Sequence, residues 1–510
     1  MTGPPADPEA PSTSLLDAPS PPARPAAEAA RLALALLAGL VLRSLHPGQP
    51  IVENYVGRQI PTAMVARNLE RGSGFLRPTL DTGPFPNYFP VEPPIYQELV
   101  VGMRRISGLP LDASGRLVSA LAATLAAWGV YELTRRRWGE GAALASAAAF
   151  SMLPVVIRYG RAFQPDALML GGVVAGLACW DRARARDKAR GLWAVGWLLL
   201  ATGLAAKVTA VHVLAVAFWV VLPRRDWRGA VLCGSTLLPV IAWYAWAWSL
   251  TSASASRAAA DNRDVWLGLL GLGALAAGET WRHVGRFLVV RAFTPLGLLG
   301  ALWGLAGAPK ARLWWTWTAL AVATMAAVAA KLHHEYYWLC LAPPVAAGLG
   351  AAWSGVDARR PLTALALALV LAAMALEFSD STWRSPDEWV GLAEAGRAVA
   401  EATGPDDLVV APEALLFQAD RRGCRLEYTV AAATRAASEW SSAAGLLTPA
   451  ALVEFYKDQG ARWVADVGPG SDDPARTDLH AEIRRRYKVV IDRPDVLLAD
   501  LHPEEPGHAD

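Results

Sequence analysis

Acids, bases and aromatics of the kinds that do chemistry recur in this sequence on alternate connections between apolar stretches. Glu53, Arg58, Asp81 and Glu92 fall in one polar segment, and Arg158, Arg161 and Asp166 in a second. Lys207 stands in a third, and His333-His334-Glu335-Tyr336-Tyr337 open a fourth. A carboxylate just past an apolar stretch can take a proton from a hydroxyl at a membrane surface. Arginine and lysine there can hold a phosphate group. Lys207 has almost no loop around it, and an ionisable group at such a depth is a functional candidate by default. A lysine at the end of a span also snorkels with no such role. Asp166 follows Pro165 and opens an apolar run, so it also fits an acid opposing a helix dipole. That reading leaves the two arginines before it unexplained. Each acid of the first segment, taken alone, also reads as a solvated surface charge. Adjacent histidines do not share a helix face, so His334, Tyr336 and Tyr337 fit polar and aromatic contacts to a ligand better than a metal site. No metal ligands are assigned, no cofactor is called for with certainty, and a divalent metal stays open.

The elements that must position these residues are apolar. The chain has 510 residues, 54% hydrophobic and 18% charged, with a mean hydropathy of +0.26. Soluble domains average about a quarter charged residues, so this chain is too apolar for water. About eleven stretches of near-membrane length are expected. They lie near 28–45, 117–134, 141–157, 166–180, 191–206, 208–222, 229–250, 287–307, 313–330, 336–354 and 361–378. An amphipathic stretch runs from Pro93 to Leu109. Trp243, Trp246 and Trp248, or Trp314, Trp315 and Trp317, sit where interfacial aromatic belts form.

Basic clusters fall on the other set of connections: Arg135-Arg136-Arg137, Asp181 to Arg190, Pro223-Arg224-Arg225, Lys310 to Arg312 and Arg359-Arg360. The positive-inside rule puts these in the cytoplasm and the chemistry-bearing segments on the far side. The fold class expected is a mainly α polytopic membrane protein with a C-terminal soluble α/β domain. Residues 1–26, rich in Pro, Ala and Ser, read as a disordered cytoplasmic arm. Residues 27–379 form the transmembrane domain, with a first outer loop at 46–92, and 380–510 form the outer domain. In that last part Leu408 to Val410, Trp463 to Ala465 and Val489 to Ile491 suit strands, while 390–402 and 448–459 suit helices. The expected location is the plasma (inner) membrane.

Several classes are excluded. No Walker sequence and no Gly-x-Gly-x-x-Gly occurs, which argues against a nucleotide-driven pump. A net charge of +2 gives no reason to expect nucleic acid as a partner. Four cysteines with no Cys-x-x-Cys support neither a disulfide framework nor a zinc site.

Taken in order, the polar segments resemble the polytopic C-type fold glycosyltransferases, in particular the bacterial relatives of protein O-mannosyltransferases and of lipid A aminoarabinose transferase. Arg58-Gln59, Thr62-Ala63 and Ala66-Arg67-Asn68 match a first-loop pattern. Glu92-Pro93-Pro94-Ile95-Tyr96 resembles the acidic-then-proline segment leading back to the membrane, and Arg161 with Pro165-Asp166-Ala167 an Arg followed by Pro-Asp. Gly203 to Lys207, Tyr336-Tyr337 with Pro343-Pro344, and Asp420-Arg421-Arg422-Gly423 resemble further elements. The family's first-loop acidic pair is represented only by Glu53-Asn54, and Cys424 stands where an aromatic is commoner.

The resemblance implies transfer of a sugar, with inversion, from a polyprenyl-phosphate donor to an acceptor hydroxyl on a lipid, glycan or protein at the outer face. The phosphate needs cations, for which Arg58, Arg161 and Lys207 are available. The acceptor needs a base, with Glu53 the first choice and Asp81 and Asp166 its competitors. Glu92, His334, Tyr336 and Tyr337 join the expected substrate contacts. Two other classes stay open: a secondary transporter or lipid-linked sugar flippase, and an inactive membrane scaffold with a partner-binding tail.

Overall fold

A computed structural model describes residues 25–53, 55–186, 189–222, 226–253, 271–357, 360–441, 444–468 and 473–502. Most of the expected disordered arm (1–24), Asn54, Asp187-Lys188, Pro223 to Arg225 and Arg359 lie outside these residues. The chain is mostly helical up to residue 402, and among the described residues the five strands all follow residue 408.

Each of the eleven apolar stretches folds as helix, with corrections to its bounds. The stretches near 117–134 and 141–157 form one run, Leu111–Met152, broken only where Gly139 takes φ 83°. The stretch near 208–222 is broken into 3-10, α and π turns between Val208 and Val221. Three helix pairs bend sharply, by 47° between Trp227–Ser235 and Leu238–Ala253, by 84° between Gly278–Ala292 and Pro295–Gly307, and by 50° between Pro361–Glu377 and Asp380–Trp389. Among the described residues two helices are long and apolar enough to cross a membrane, or up to five if each bent pair is one span. The count of eleven spans is therefore not reached by length and composition. Buried charges such as Asp166 and Asp181 shorten the uninterrupted apolar windows.

Described residues of the first two basic connections meet at one end of the bundle. Arg136 and Arg137 bond Asp181 at 2.8 and 3.1 Å, and Arg182 pairs with Glu132 at 3.2 Å. Arg184 donates to the Val220 carbonyl. Trp138 donates to the Pro309 carbonyl beside the fourth basic connection, and Arg31 of the first helix, Pro25–Arg43, pairs with Glu140.

Helices Asp166–Ala183 and Arg190–Ala206 touch backbone to backbone. A Cβ on Gly172 would meet Leu199 O at 2.6 Å, and one on Gly203 would meet Met169 O at 2.8 Å. Small residues at both surfaces let the helices approach this closely. The consequence for function is that the start of one helix, Asp166, is held beside the end of the other, Lys207.

The C-terminal region carries a five-stranded sheet in the order β2-β1-β3-β5-β4, where β1 is Val409–Ala411, β2 Gly423–Arg425, β3 Trp463–Val467, β4 Lys488–Arg493 and β5 Val496–Asp500. β1 pairs parallel with β2 and β3, while β5 runs antiparallel between β3 and β4. Helices Leu392–Ala402 and Pro449–Asp458 pack on it. The loop that follows helix Val56–Glu70 adds itself to the open edge of this sheet. Thr82 bridges Gly423, with Gly83 N to Gly423 O and Gly423 N to Asp81 O each 2.9 Å.

Candidate functional site

The end of the bundle opposite the basic connections holds the chemistry-bearing side chains, in three groups. In the first, Lys207 Nζ donates to Asp166 Oδ1 at 2.7 Å, and both are buried. Asp166 Oδ2 has no hydrogen-bond partner among the described residues. Asp166 stands in the first turn of its helix, where the dipole favours a carboxylate. The Lys207 ammonium lies over the Tyr336 ring, 4.1 Å from its centroid, and 5.0 Å from that of Tyr337. His334 stacks on Tyr336 with planes 7° apart. Tyr55 closes the aromatic set, its ring 4.5 Å from His334 and 6.0 Å from Tyr336. Arg58, in helix Val56–Glu70, forms a short ion pair with Glu92 and lies near enough to Tyr336 and Asp166 to feel their charge. Burial works against the Arg58 cation, but Glu92 outweighs it and raises its pKa.

The second group is Glu53 with Arg116. Both Glu53 oxygens accept from Arg116 Nη2 at 2.9 Å, and neither side chain is more than 2% exposed. Arg116 also donates to the carbonyls of Pro47, Gln49 and Pro50, so it ties the start of the outer loop to the bundle. Arg161 belongs here: it donates to the carbonyls of Thr382 at 2.9 Å and His46 at 3.1 Å. In the third group Asp81 bonds Arg67 at 2.5 Å, and Arg67 reaches Phe417 O and Asp420 of the C-terminal region.

The structure thus brings together Arg58, Glu92, Asp166, Lys207, His334, Tyr336 and Tyr337. It places Glu53 and Arg161 in a buried clamp and Asp81 at the contact with the sheet. Sequence reading gave no role to Tyr55 or Arg116. An arginine just before the apolar run near 117–134 was the signal for Arg116. Tyr55 gave none, because an aromatic in a polar loop has no periodic partner. A further buried network joins Arg158 Nε to Glu335 Oε2 at 2.9 Å and Arg291 to the same carboxylate. Among the described residues no three His, Cys, Asp or Glu side chains group so as to hold a metal ion.

His334 lies just before the helical segment that starts at Glu335. Burial, helped by His333, Lys331 and Lys207, pulls its pKa down to about 3, so its imidazole is neutral at pH 7. A separate cavity of about 760 Å³ opens between helices on the side of the bundle, lined by Leu144, Ala148, Met152, Trp303, Leu367 and Leu371 among others. None of the Lys207 and Asp166 group lines it.

With this geometry in view, the similarities to known proteins are specific. Residues 91–248 match the family model described as dolichyl-phosphate-mannose-protein mannosyltransferase. That stretch holds Glu92, Arg161, Asp166 and Lys207. ArnT from Cupriavidus metallidurans, bound to undecaprenyl phosphate, superposes with a TM-score of 0.61 at 14% identity, over 94% of this chain and 98% of that one. The chain has the C-type glycosyltransferase fold. Two more proteins with this C-type fold are similar. The arabinofuranosyltransferase AftD from Mycobacteria gives a TM-score of 0.59 at 16% identity, over 92% of this chain and 39% of AftD. The oligosaccharyltransferase AglB from Archaeoglobus fulgidus, in complex with an inhibitory peptide and a dolichol-phosphate, gives 0.52 at 12% identity, over 91% and 72%. No curated protein matches the chain in sequence.

Proposed function

We propose that this protein is a membrane glycosyltransferase that moves a sugar from a polyprenyl-phosphate donor to an acceptor hydroxyl at the outer face of the plasma membrane, with inversion. The observation that carries the reading is the Lys207–Asp166 pair at 2.7 Å beside the Arg58–Glu92 pair, at the bundle end away from the basic connections. Two cations and two carboxylates in one water-poor site are what phosphate departure and proton removal need. The ammonium of Lys207 has three donors, so it can keep Asp166 and still take a phosphate oxygen. Arg58 supplies the second positive charge. The neighbours ArnT, bound to undecaprenyl phosphate, and AglB, in complex with a dolichol-phosphate, support a lipid phosphate as the donor's leaving group. The apolar cavity on the flank of the bundle gives a lipid chain somewhere to lie.

Of the three acids expected as bases, Asp166 is favoured over Glu53 and Asp81. Glu53 and Asp81 have arginine partners outside this group, whereas Asp166 keeps one oxygen free of donors among the described residues. In the step proposed, the acceptor oxygen attacks the anomeric carbon, its proton passes to Asp166, and the carbon–oxygen bond to the lipid phosphate breaks. The polar groups cluster at one end of the bundle, not at its middle, which favours this reading over a transporter.

The test is incubation of the purified chain in lipid vesicles with undecaprenyl-phosphate sugars radiolabelled in the sugar, together with lipid, glycan and peptide acceptors that carry free hydroxyls. The expected result is consumption of at least one donor with release of undecaprenyl phosphate. No consumption of any donor, in protein that binds undecaprenyl phosphate, would overturn the enzymatic reading.

A further inference from the structure

Tyr55 meets the candidate site directly. It immediately precedes the helix that carries Arg58, and its ring lies against His334 and Tyr336. Tyr55 is nevertheless 38% exposed, while Tyr336 and Tyr337 beneath it are 5% and 3% exposed. An exposed aromatic ring backed by a stacked His–Tyr pair has a fixed orientation and an open face.

The position of that face relative to the cations restricts what it can meet. Lys207 Nζ is 4.1 Å from the centre of Tyr336, and Tyr336 is 6.0 Å from Tyr55. A phosphate held by Lys207 would carry its attached group toward the exposed ring of Tyr55 and the half-buried ring of His334. The C–H face of a sugar ring packs on an aromatic face, where dispersion and weak C–H contacts add to area burial. A neutral His334 fits this better than a charged one, because an imidazolium presents no electron-rich face. We propose that Tyr55, backed by His334, is the platform on which the sugar ring of the polyprenyl-phosphate donor stacks, and so a specificity-determining residue of this site. This rests on the donor assignment made under Proposed function.

The experiment measures binding of two probes to the full-length protein in vesicles: undecaprenyl phosphate, and undecaprenyl-phosphate mannose, with the arabinose-bearing lipid as a second sugar. Wild type is expected to bind at least one sugar-bearing lipid more tightly than the bare phosphate. Tyr55→Ala should lose about three- to tenfold in affinity for that lipid, the range of a single aromatic stack. It should keep the wild-type affinity for bare undecaprenyl phosphate, which also shows that it folds. Tyr55→Phe, which retains the ring, should behave as wild type toward both probes. Equal loss for both probes in Tyr55→Ala, or no loss for either, would overturn the platform while leaving the donor assignment standing. Failure of wild type to bind bare undecaprenyl phosphate would overturn the donor assignment itself, and the platform with it.

Discussion

Lys207 Nζ and Asp166 Oδ1 lie 2.7 Å apart because the helix that starts at Asp166 and the helix that ends just before Lys207 are pressed together through Gly172 and Gly203. The pair is held from below by backbone packing and covered by the Tyr336 ring. Lys207→Ala should therefore do two things. It should weaken binding of undecaprenyl phosphate, and it should destabilise the protein by about 3–5 kcal/mol, the cost of leaving a buried partner charge unpaired. The double variant Lys207→Ala with Asp166→Asn removes the orphaned charge. Thermal unfolding in detergent should show it recovering stability but not lipid binding. Recovery of both would mean that Lys207 serves the fold alone.

Asp166→Asn and Glu53→Gln should fail in different ways. Asp166→Asn keeps a hydrogen-bond acceptor for Lys207 but cannot take a proton, so turnover should fall about a hundred- to ten-thousand-fold with lipid binding retained. Glu53→Gln weakens the bidentate pair with Arg116 deep in the loop anchor, so its main effect should be a lower melting temperature. Comparison of turnover per folded molecule separates them. A collapse of that quantity in Glu53→Gln, beside normal turnover in Asp166→Asn, would return the base to Glu53.

How much of this was legible in the sequence follows from what each signal depends on. The helices were readable because apolar length is local, and Gly203 to Lys207 carried both the close helix contact and the cation within five residues. β2 and β5 were not expected as strands: Gly423-Cys424-Arg425 is three residues with no alternation, and it is a strand because β1 and the outer loop pair on either side of it. The partners of the acids were equally hidden. Glu53 meets Arg116 across 63 positions, and no periodicity links residues that far apart. The first choice of base from chain order alone therefore fell on an acid whose ion pair only the tertiary fold reveals.

Arg67 couples the outer loop to the C-terminal sheet. It bonds Asp81 at 2.5 Å, donates to Phe417 O at 2.7 Å, and stacks over the Phe417 ring at 4.6 Å. Arg67→Ala leaves the buried Asp81 carboxylate without its guanidinium and should cost about 3–5 kcal/mol. Limited proteolysis should then cut the loop 71–90 faster in the variant than in wild type. An unchanged cleavage rate would show that the backbone bonds of Asp81 and Gly83 to Gly423 hold the contact without Arg67.

The pH dependence of stability has a definite sign at His334. Its folded pKa is pulled from 6.5 down to about 3, chiefly by burial. A base held neutral in the folded state contributes fully above the unfolded pKa. That contribution is lost as pH falls from about 6.5 toward 3, because the unfolded chain binds the proton first. His334→Gln should therefore lose less melting temperature than wild type between pH 7 and pH 5. A steeper loss in the variant would show that His334 is charged in the fold.

The orientation of the chain in the membrane follows from its two unlike ends. Arg136, Arg137, Arg182 and Arg184 meet at one end through Asp181, Glu132 and Val220, and Pro309 joins them through Trp138. The C-terminal sheet is joined to the other end, through Thr82, Gly83 and Asp81 of the first outer loop. Positive charge in short connections stays in the cytoplasm, so the end carrying the sheet should face outward. Alkaline phosphatase, active only outside the cytoplasm, should score positive when fused after Asp510, while a fusion within Lys310 to Arg312 should be silent. Removing the charges of Arg135 to Arg137 tests the cause: it should raise the fraction of chains with inverted topology, read by protease access to the sheet in sealed vesicles. An inactive Asp510 fusion with an active one at Lys310 would turn the molecule over and place the Lys207–Asp166 site at the cytoplasmic face.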